Sequence, residues 1–135
     1  MGFGFPLLLI PVAVYHIFAL LLGVGPWATT VFTIHMASGA DWAVSYGDLV
    51  IIGALICLYG EIFKATVTSN RSILDHLLSM AVFVIMLVEF ILWAPFATST
   101  YAILMIISLV DVVGGFTITI RTARRDFALE RTIEP

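Results

Sequence analysis

Four apolar stretches, Phe5–Val24, Asp48–Thr66, Ile73–Ala94 and Ser99–Arg121, each approach the length of about 20 residues that a helix needs to cross the hydrocarbon core of a bilayer. Inside lipid the backbone must satisfy its own hydrogen bonds, so segments of this length are read as α-helices. The chain is therefore expected to fold as an all-α membrane protein. The expected form is one domain, a four-helix antiparallel transmembrane bundle. A long non-cytoplasmic loop separates helices 1 and 2, and a cytoplasmic tail covers 122–135. Composition agrees: of 135 residues, 61% are hydrophobic and 11% charged, with a mean hydropathy of +1.13. A water-soluble domain this small has too much surface to hide so much apolar area. Lipid is the expected solvent.

Direction follows from the cations, because Lys and Arg are retained on the cytoplasmic side during insertion. Lys64 and Arg71 flank the second connection, and Arg121, Arg124, Arg125 and Arg131 follow the fourth stretch, whereas the first and third connections carry neither. All six basic residues thus place both termini in the cytoplasm. The second and third connections are short, which predicts that the last three helices are antiparallel neighbours. The first apolar run lacks the cationic lead and small-residue cleavage site of a secretory signal and is read as a retained helix. Pro6 stands where a myristoylation motif would carry Ser or Thr, so no lipid anchor is expected. The sequon Asn70-Arg71-Ser72 falls in a tight cytoplasmic loop, where glycosylation does not occur.

Helix boundaries have local signals. Ser72-Ile73-Leu74-Asp75 fits a capping box that would start the third helix. Pro95 closes that helix, and the hydroxyls of Thr98, Ser99 and Thr100 can cap the fourth. The first connection, Gly25 to Gly47, contains Trp27, Trp42 and Tyr46, residues that favour the headgroup zone. Its apolar part, Trp27–Met36, is too short to span and fits an interfacial helix, a hairpin strand or a re-entrant loop. Alternation of Phe32, Ile34 and Met36 with Val31, Thr33 and His35 favours extended structure.

Several function classes are excluded. A net charge of −3 with sparse basic residues offers no face for nucleic acid. The single Cys57 has no partner for a disulfide, a redox pair or a thiolate cluster, which removes quinone-linked disulfide chemistry. There is no nucleophile and base set, phosphate loop or strong metal motif, so enzymatic activity is not the favoured reading.

Function should show where ionisable groups enter apolar helices, since each costs about 2.5–3.5 kcal/mol at mid-bilayer and is normally paired or turned inward. The candidates are His16, Glu61, Lys64, Asp75, His76, Glu89 and Asp111. Asp111 lies about 15 Å before Arg121 along an ideal helix. That places it with Glu61 and His76 in the cytoplasmic half, on three different helices, and Lys64 stands one turn from Glu61. Glu61, Lys64, His76 and Asp111 form the candidate polar cluster, with His16 and Glu89 as secondary candidates. Asp111 has no basic neighbour within a turn, so it must be protonated, hydrogen-bonded or paired across helices.

Two stripes of small and polar residues would let backbones approach closely. They are Gly53, Cys57, Gly60, Glu61 and Lys64 on helix 2, and Ser108, Asp111, Gly115 and Thr119 on helix 4, and they are expected to face each other. On helix 3, Asp75, Ser79, Val82, Met86, Glu89 and Trp93 share one line. That line is either an interior seam for protons or ions, or a cap at Asp75 with Glu89 and Trp93 at the outer interface. His16, five residues after a Pro11 expected to kink its helix, reads as an interhelical hydrogen-bonder. Haem ligation needs two histidines at one depth, and His16, His35 and His76 are at three depths. No cofactor is expected.

The runs Ser72-Ile-Leu-Asp-His-Leu-Leu-Ser-Met80, Leu109-Val-Asp-Val-Val-Gly-Gly-Phe-Thr-Ile-Thr-Ile-Arg121 and Ala123-Arg-Arg-Asp126 resemble a group of uncharacterised bacterial four-helix inner-membrane proteins. The resemblance covers about the last 40% of the chain, implies a bacterial inner membrane and implies no activity. Small multidrug transporters are also four-helix proteins of similar length, but their essential carboxylate lies in helix 1, where this chain has only His16. The first functional reading is a structural or accessory subunit packed against itself, as a homo-oligomer, or against a larger membrane complex. The alternative is a small proton-coupled transporter or channel using Asp111 and Glu61, and a third is a membrane haem or metal protein.

Overall fold

A computed structural model describes residues 4–23, 25–66 and 70–133, with side-chain surroundings for all of these except 70–72. The elements in order are α1 (Leu9–Leu22), a 3-10 turn at Gly25–Ala28, β1 (Thr30–His35), β2 (Asp41–Ser45), α2 (Tyr46–Ala65), α3 (Asn70–Leu92), a second 3-10 turn at Ala94–Phe96, and α4 (Ser99–Ile133). The fold is mostly helical, and α2, Ile73–Leu92 of α3 and α4 are each long and apolar enough to cross a membrane. The first helix is shorter than its apolar stretch. It has 14 residues, a rise of about 21 Å, because it begins only at Leu9 and ends where Gly23 takes φ +78°. Pro11 therefore lies in the first turn, where backbone N–H groups have no helical partner to lose. The kink expected from Pro11 has no cause here.

The loop between α1 and α2 is not structureless, which corrects the all-α expectation. Its alternating segment forms an antiparallel hairpin, with His35 opposite Asp41 and Ile34 opposite Trp42, and a register irregularity between Thr30 and Phe32. Gly39, at φ +87°, makes the turn that joins the strands. β2 runs directly into α2 through a capping box: the Asp48 N–H donates to Ser45 Oγ at 3.2 Å, and the Ser45 N–H donates to Asp48 Oδ2 at 2.8 Å. Such a cap contributes about 1 kcal/mol and sets where the helix starts. The pattern Ser45-x-x-Asp48 is legible in sequence, and it moves the start of α2 from Asp48 to Tyr46.

α3 begins at Asn70, so Ser72 sits inside the helix rather than at its cap; the Ser72 hydroxyl lies outside the described side chains, as does the Met1–Phe3 part of the N-terminal motif. α4 starts as its hydroxyls indicate, with the Tyr101 N–H donating to Thr98 Oγ1 at 3.1 Å. It then continues as one helix past Arg121 to Ile133, so the tail expected from 122 is helical over 122–133.

α4 packs along both α2 and α3, while α1 lies against α2 and the 3-10 turns. α2 and α3 are not among the closely packed pairs despite their short connection. The reason is visible at Gly47, where a Cβ would meet Thr100 Oγ1 at 2.7 Å and the Trp27 carbonyl at 2.9 Å. This close approach brings the starts of α2 and α4 together, so they run parallel, and α3 packs on α4. The stripes of α2 and α4 come together at Glu61, Lys64 and Asp111, but their glycines do not face each other. A Cβ on Gly60 would strike Leu7 Cδ1 at 2.7 Å, one on Gly115 would strike the His76 ring at 2.8 Å, and Gly53 faces open space. Gly60 therefore makes room for the N-terminal segment and Gly115 for α3.

The core is Leu8, then Val12, Tyr15 and Ala19 of α1, Trp27, Ala54, Met86, and Phe96, Tyr101, Leu104 and Ile107. Its aromatic end centres on Tyr15, whose ring stacks on Trp27 with centroids 4.3 Å apart and planes within 5°. Phe96 and Tyr101 pack on Tyr15 at 5.7 and 4.8 Å.

Candidate functional site: two buried polar clusters

Polar side chains gather at two levels of the bundle. Near the α2–α3 connection, Lys64 Nζ lies 3.3 Å from both carboxylate oxygens of Glu61 and 3.1 Å from Asp75 Oδ2, and donates to the Phe5 carbonyl at 2.8 Å. Glu61 Oε1 also accepts the Leu7 N–H. One ammonium thus ties the N-terminal segment, α2 and α3 together. Glu61, Asp75 and Asp111 are 2%, 2% and 3% exposed, so three carboxyls are buried around Lys64 as the one lysine of the group. Asp111 stands beside Ser79. Asp111 Oδ2, Asp75 Oδ1 and Ser79 Oγ are buried with no hydrogen-bond partner among the described residues. Buried polar atoms are normally satisfied, and an unsatisfied one costs about 1–3 kcal/mol.

The sequence-based cluster is therefore partly assembled. Glu61 and Lys64 meet, and Asp111 is buried close by. His76, although buried, turns to α4: its Nε2 lies 2.8 Å from Thr119 Oγ1 and its ring fills the gap left by Gly115. His76 thus lies one turn along α4 from Asp111, and Asp75 joins the group through Lys64. The sequence hid this because a Ser-x-x-Asp cap explained Asp75 fully, whereas its partner Lys64 is on another helix.

The second cluster lies nearer the hairpin. His16 Nε2 is 3.0 and 3.1 Å from the two oxygens of Glu89, and His16 Nδ1 is 2.8 Å from the Val12 carbonyl. The Tyr101 hydroxyl donates to Glu89 Oε2. A carbonyl can only accept, so Nδ1 carries a proton. Nε2 is shared almost equally between the two Glu89 oxygens, so His16 and Glu89 form one hydrogen-bonded pair across α1 and α3. Of the line expected on α3, Asp75, Ser79 and Met86 are buried and Glu89 is half-buried, whereas Trp93 is 47% exposed and leaves it. His35 pairs with Asp41 at 2.6 Å on the exposed hairpin, apart from both clusters.

Between the clusters lies an apolar layer formed by Leu8, Val12, Met86, Leu104 and Ile107, all buried. From Ser79 to Glu89 along α3 the separation is about 15 Å. No hydrogen-bonded chain crosses that layer among the described residues. No group of three or more His, Cys, Asp or Glu side chains among the described residues is placed to hold a metal ion.

No protein-family profile, no curated protein and no solved structure matches this chain.

Proposed function

We propose that the chain is an integral membrane protein of the proton-coupled transporter class, with the Glu61, Lys64, Asp75 and Asp111 cluster as its proton-exchanging centre. The observation that carries this reading is the excess of buried carboxyls over ammonium groups together with the unpartnered oxygens of Asp75 and Asp111. Three ionised carboxylates around one lysine would leave two negative charges unbalanced, and each buried ion costs several kcal/mol. Holding protons removes that cost, and Asp111, without a direct ion pair, is the group assigned to take and release one. Intramembrane carboxyls of this kind mark proton pathways.

In this reading α1 is the fourth crossing. Its start is tied to one end of the bundle through Glu61 and Lys64, and its far end to the other, where the Tyr15 hydroxyl lies 2.6 Å from Thr98 Oγ1 and 3.2 Å from the Pro95 carbonyl. Its deficit in length is met by local thinning of the bilayer. In this reading the distribution of basic residues supports a bacterial inner membrane, with Lys64, Arg71 and the extended end of α4 on the cytoplasmic side and the hairpin on the other. The buried apolar layer closes the path between the two clusters, as a transporter in an occluded state requires. A second reading, an accessory subunit or homo-oligomer, is favoured by the open face at Gly53, against which a neighbouring helix could pack.

Proteoliposomes carrying the protein, loaded with a pH-sensitive dye and given a potassium-diffusion potential, test the first reading. The wild type is expected to pass protons faster than protein-free vesicles, and Asp111→Asn to fall to the protein-free level with unchanged helicity. Wild-type flux in Asp111→Asn, or no flux in the wild type, would contradict it.

A further inference from the structure

The register of the hairpin sorts its side chains onto two unlike faces. Residues directly opposite each other in an antiparallel pair point to the same side of the sheet. Phe32 with Val44 and Ile34 with Trp42 therefore form one face, and Thr33 with Ala43 and His35 with Asp41 form the other. Met36, two residues on from Ile34, continues the first face. That face is apolar throughout. The second is polar or small, and it carries the ion pair of His35 with Asp41 in the open.

Only the base of the apolar face is covered. Val44 is buried, whereas Phe32, Ile34, Met36 and Trp42 are 40–46% exposed. A two-stranded sheet is marginal by itself and gains stability when its apolar face is packed on something. Three observations point to lipid as the cover. The hairpin is joined at both ends to helices whose exposed side chains are apolar at the same level, Leu20, Leu21 and Leu22 closing α1 and Leu49 and Ile52 opening α2. A tryptophan on the apolar face, with a hydroxyl and an ion pair on the other, matches the boundary between headgroups and acyl chains, where one side of an element is apolar and the other wet. The open part of the face amounts to four half-exposed side chains, well below the roughly 1,200 Å² that a stable protein interface buries.

We propose that the hairpin is an amphipathic anchor on the non-cytoplasmic surface of the bilayer. Phe32, Ile34, Met36 and Trp42 enter the headgroup and acyl boundary, and Thr33, His35, Asp41 and Ala43 stay in water. The inference rests on the membrane reading proposed above and is independent of proton exchange at Asp111. The connection from α1 to α2 has no Lys or Arg. Its attachment therefore comes from apolar burial and not from attraction to anionic headgroups.

The test uses the full chain with Cys57→Ala, which removes the one native thiol. Thr33→Cys, Ile34→Cys, Ala43→Cys and Ile85→Cys, all at exposed positions, are made singly, each labelled with the environment-sensitive fluorophore NBD. Each protein is placed at one copy per phosphatidylcholine nanodisc, and Ile85→Cys on α3 reports whether the helices are embedded. The label at 34 is expected to emit to the blue, to be quenched by lipid spin-labelled near its headgroup, and to be quenched several-fold less by aqueous iodide than the labels at 33 and 43. Exchanging phosphatidylcholine for phosphatidylglycerol, or adding salt, should leave this alternation unchanged. Iodide access at 34 equal to that at 33, with the label at 85 in lipid, would overturn the anchor and leave the membrane reading standing. Iodide access at 85 as well would overturn both. Shielding at 34 that appears only with two copies per disc would show that a second copy covers the face, and shielding only on phosphatidylglycerol that headgroup charge holds it; either result contradicts the proposal.

Discussion

Lys64→Met should destabilise the fold by about 3–5 kcal/mol, the cost of leaving a buried charge without its partner. Lys64 is the contact common to the Phe5 carbonyl, both oxygens of Glu61 and Asp75 Oδ2, at 2.8, 3.3, 3.3 and 3.1 Å. Its side chain is 13% exposed, and those of Glu61 and Asp75 are 2% and 3%, so water cannot replace it. Methionine keeps the stem volume and removes only the ammonium. Denaturant unfolding in micelles, followed by circular dichroism, measures the loss. Adding Asp75→Asn should recover part of it, since one of the abandoned charges is then gone. A loss below about 1 kcal/mol, the range of an exposed ion pair, would show that the cluster is hydrated.

Tyr15→Ala is the second large effect, about 3–5 kcal/mol, because the ring is fully buried at the centre of the aromatic end. It stacks on Trp27, packs on Phe96 and Tyr101, and through its hydroxyl reaches Thr98, the residue that caps α4. One side chain therefore joins α1, the turn before the hairpin and the start of α4. Tyr15→Phe should cost only about 1 kcal/mol, the net worth of a typical hydrogen bond. Equal losses in the two variants would mean that the hydroxyl, and not the ring, holds these elements together.

The helices were legible where one periodicity and one boundary signal agreed. Thr98 caps α4, and α3 ends at Leu92, shortly before Pro95, as the sequence indicates. The hairpin was legible only as alternation over 31–36, because threonines there suit both strand and loop. Boundaries failed where two local rules competed: the apolar run from Phe5 predicted a longer α1, but Pro6 and Pro11 delay the helix until Leu9. At the site, burial of Glu61 and Asp111 followed from ionisable groups on apolar helices. What could not be read was which helices are neighbours. The parallel approach of α2 and α4 at Gly47 is a property of the tertiary packing, and so is the pairing of Lys64 with Asp75 across α2 and α3. The pairing of His16 with Glu89 was hidden for the same reason, since 73 residues separate them.

The central claim is that a buried carboxyl at Asp111 holds an exchangeable proton. Infrared spectroscopy of the protein in lipid at neutral pH tests it most directly, through the carbonyl stretch that only a protonated carboxyl gives. Such a band is expected, shifted by exchange into heavy water and missing its Asp111 component in Asp111→Asn. A wild-type spectrum in which all carboxyls are ionised, or a band that Asp111→Asn leaves untouched, would contradict it.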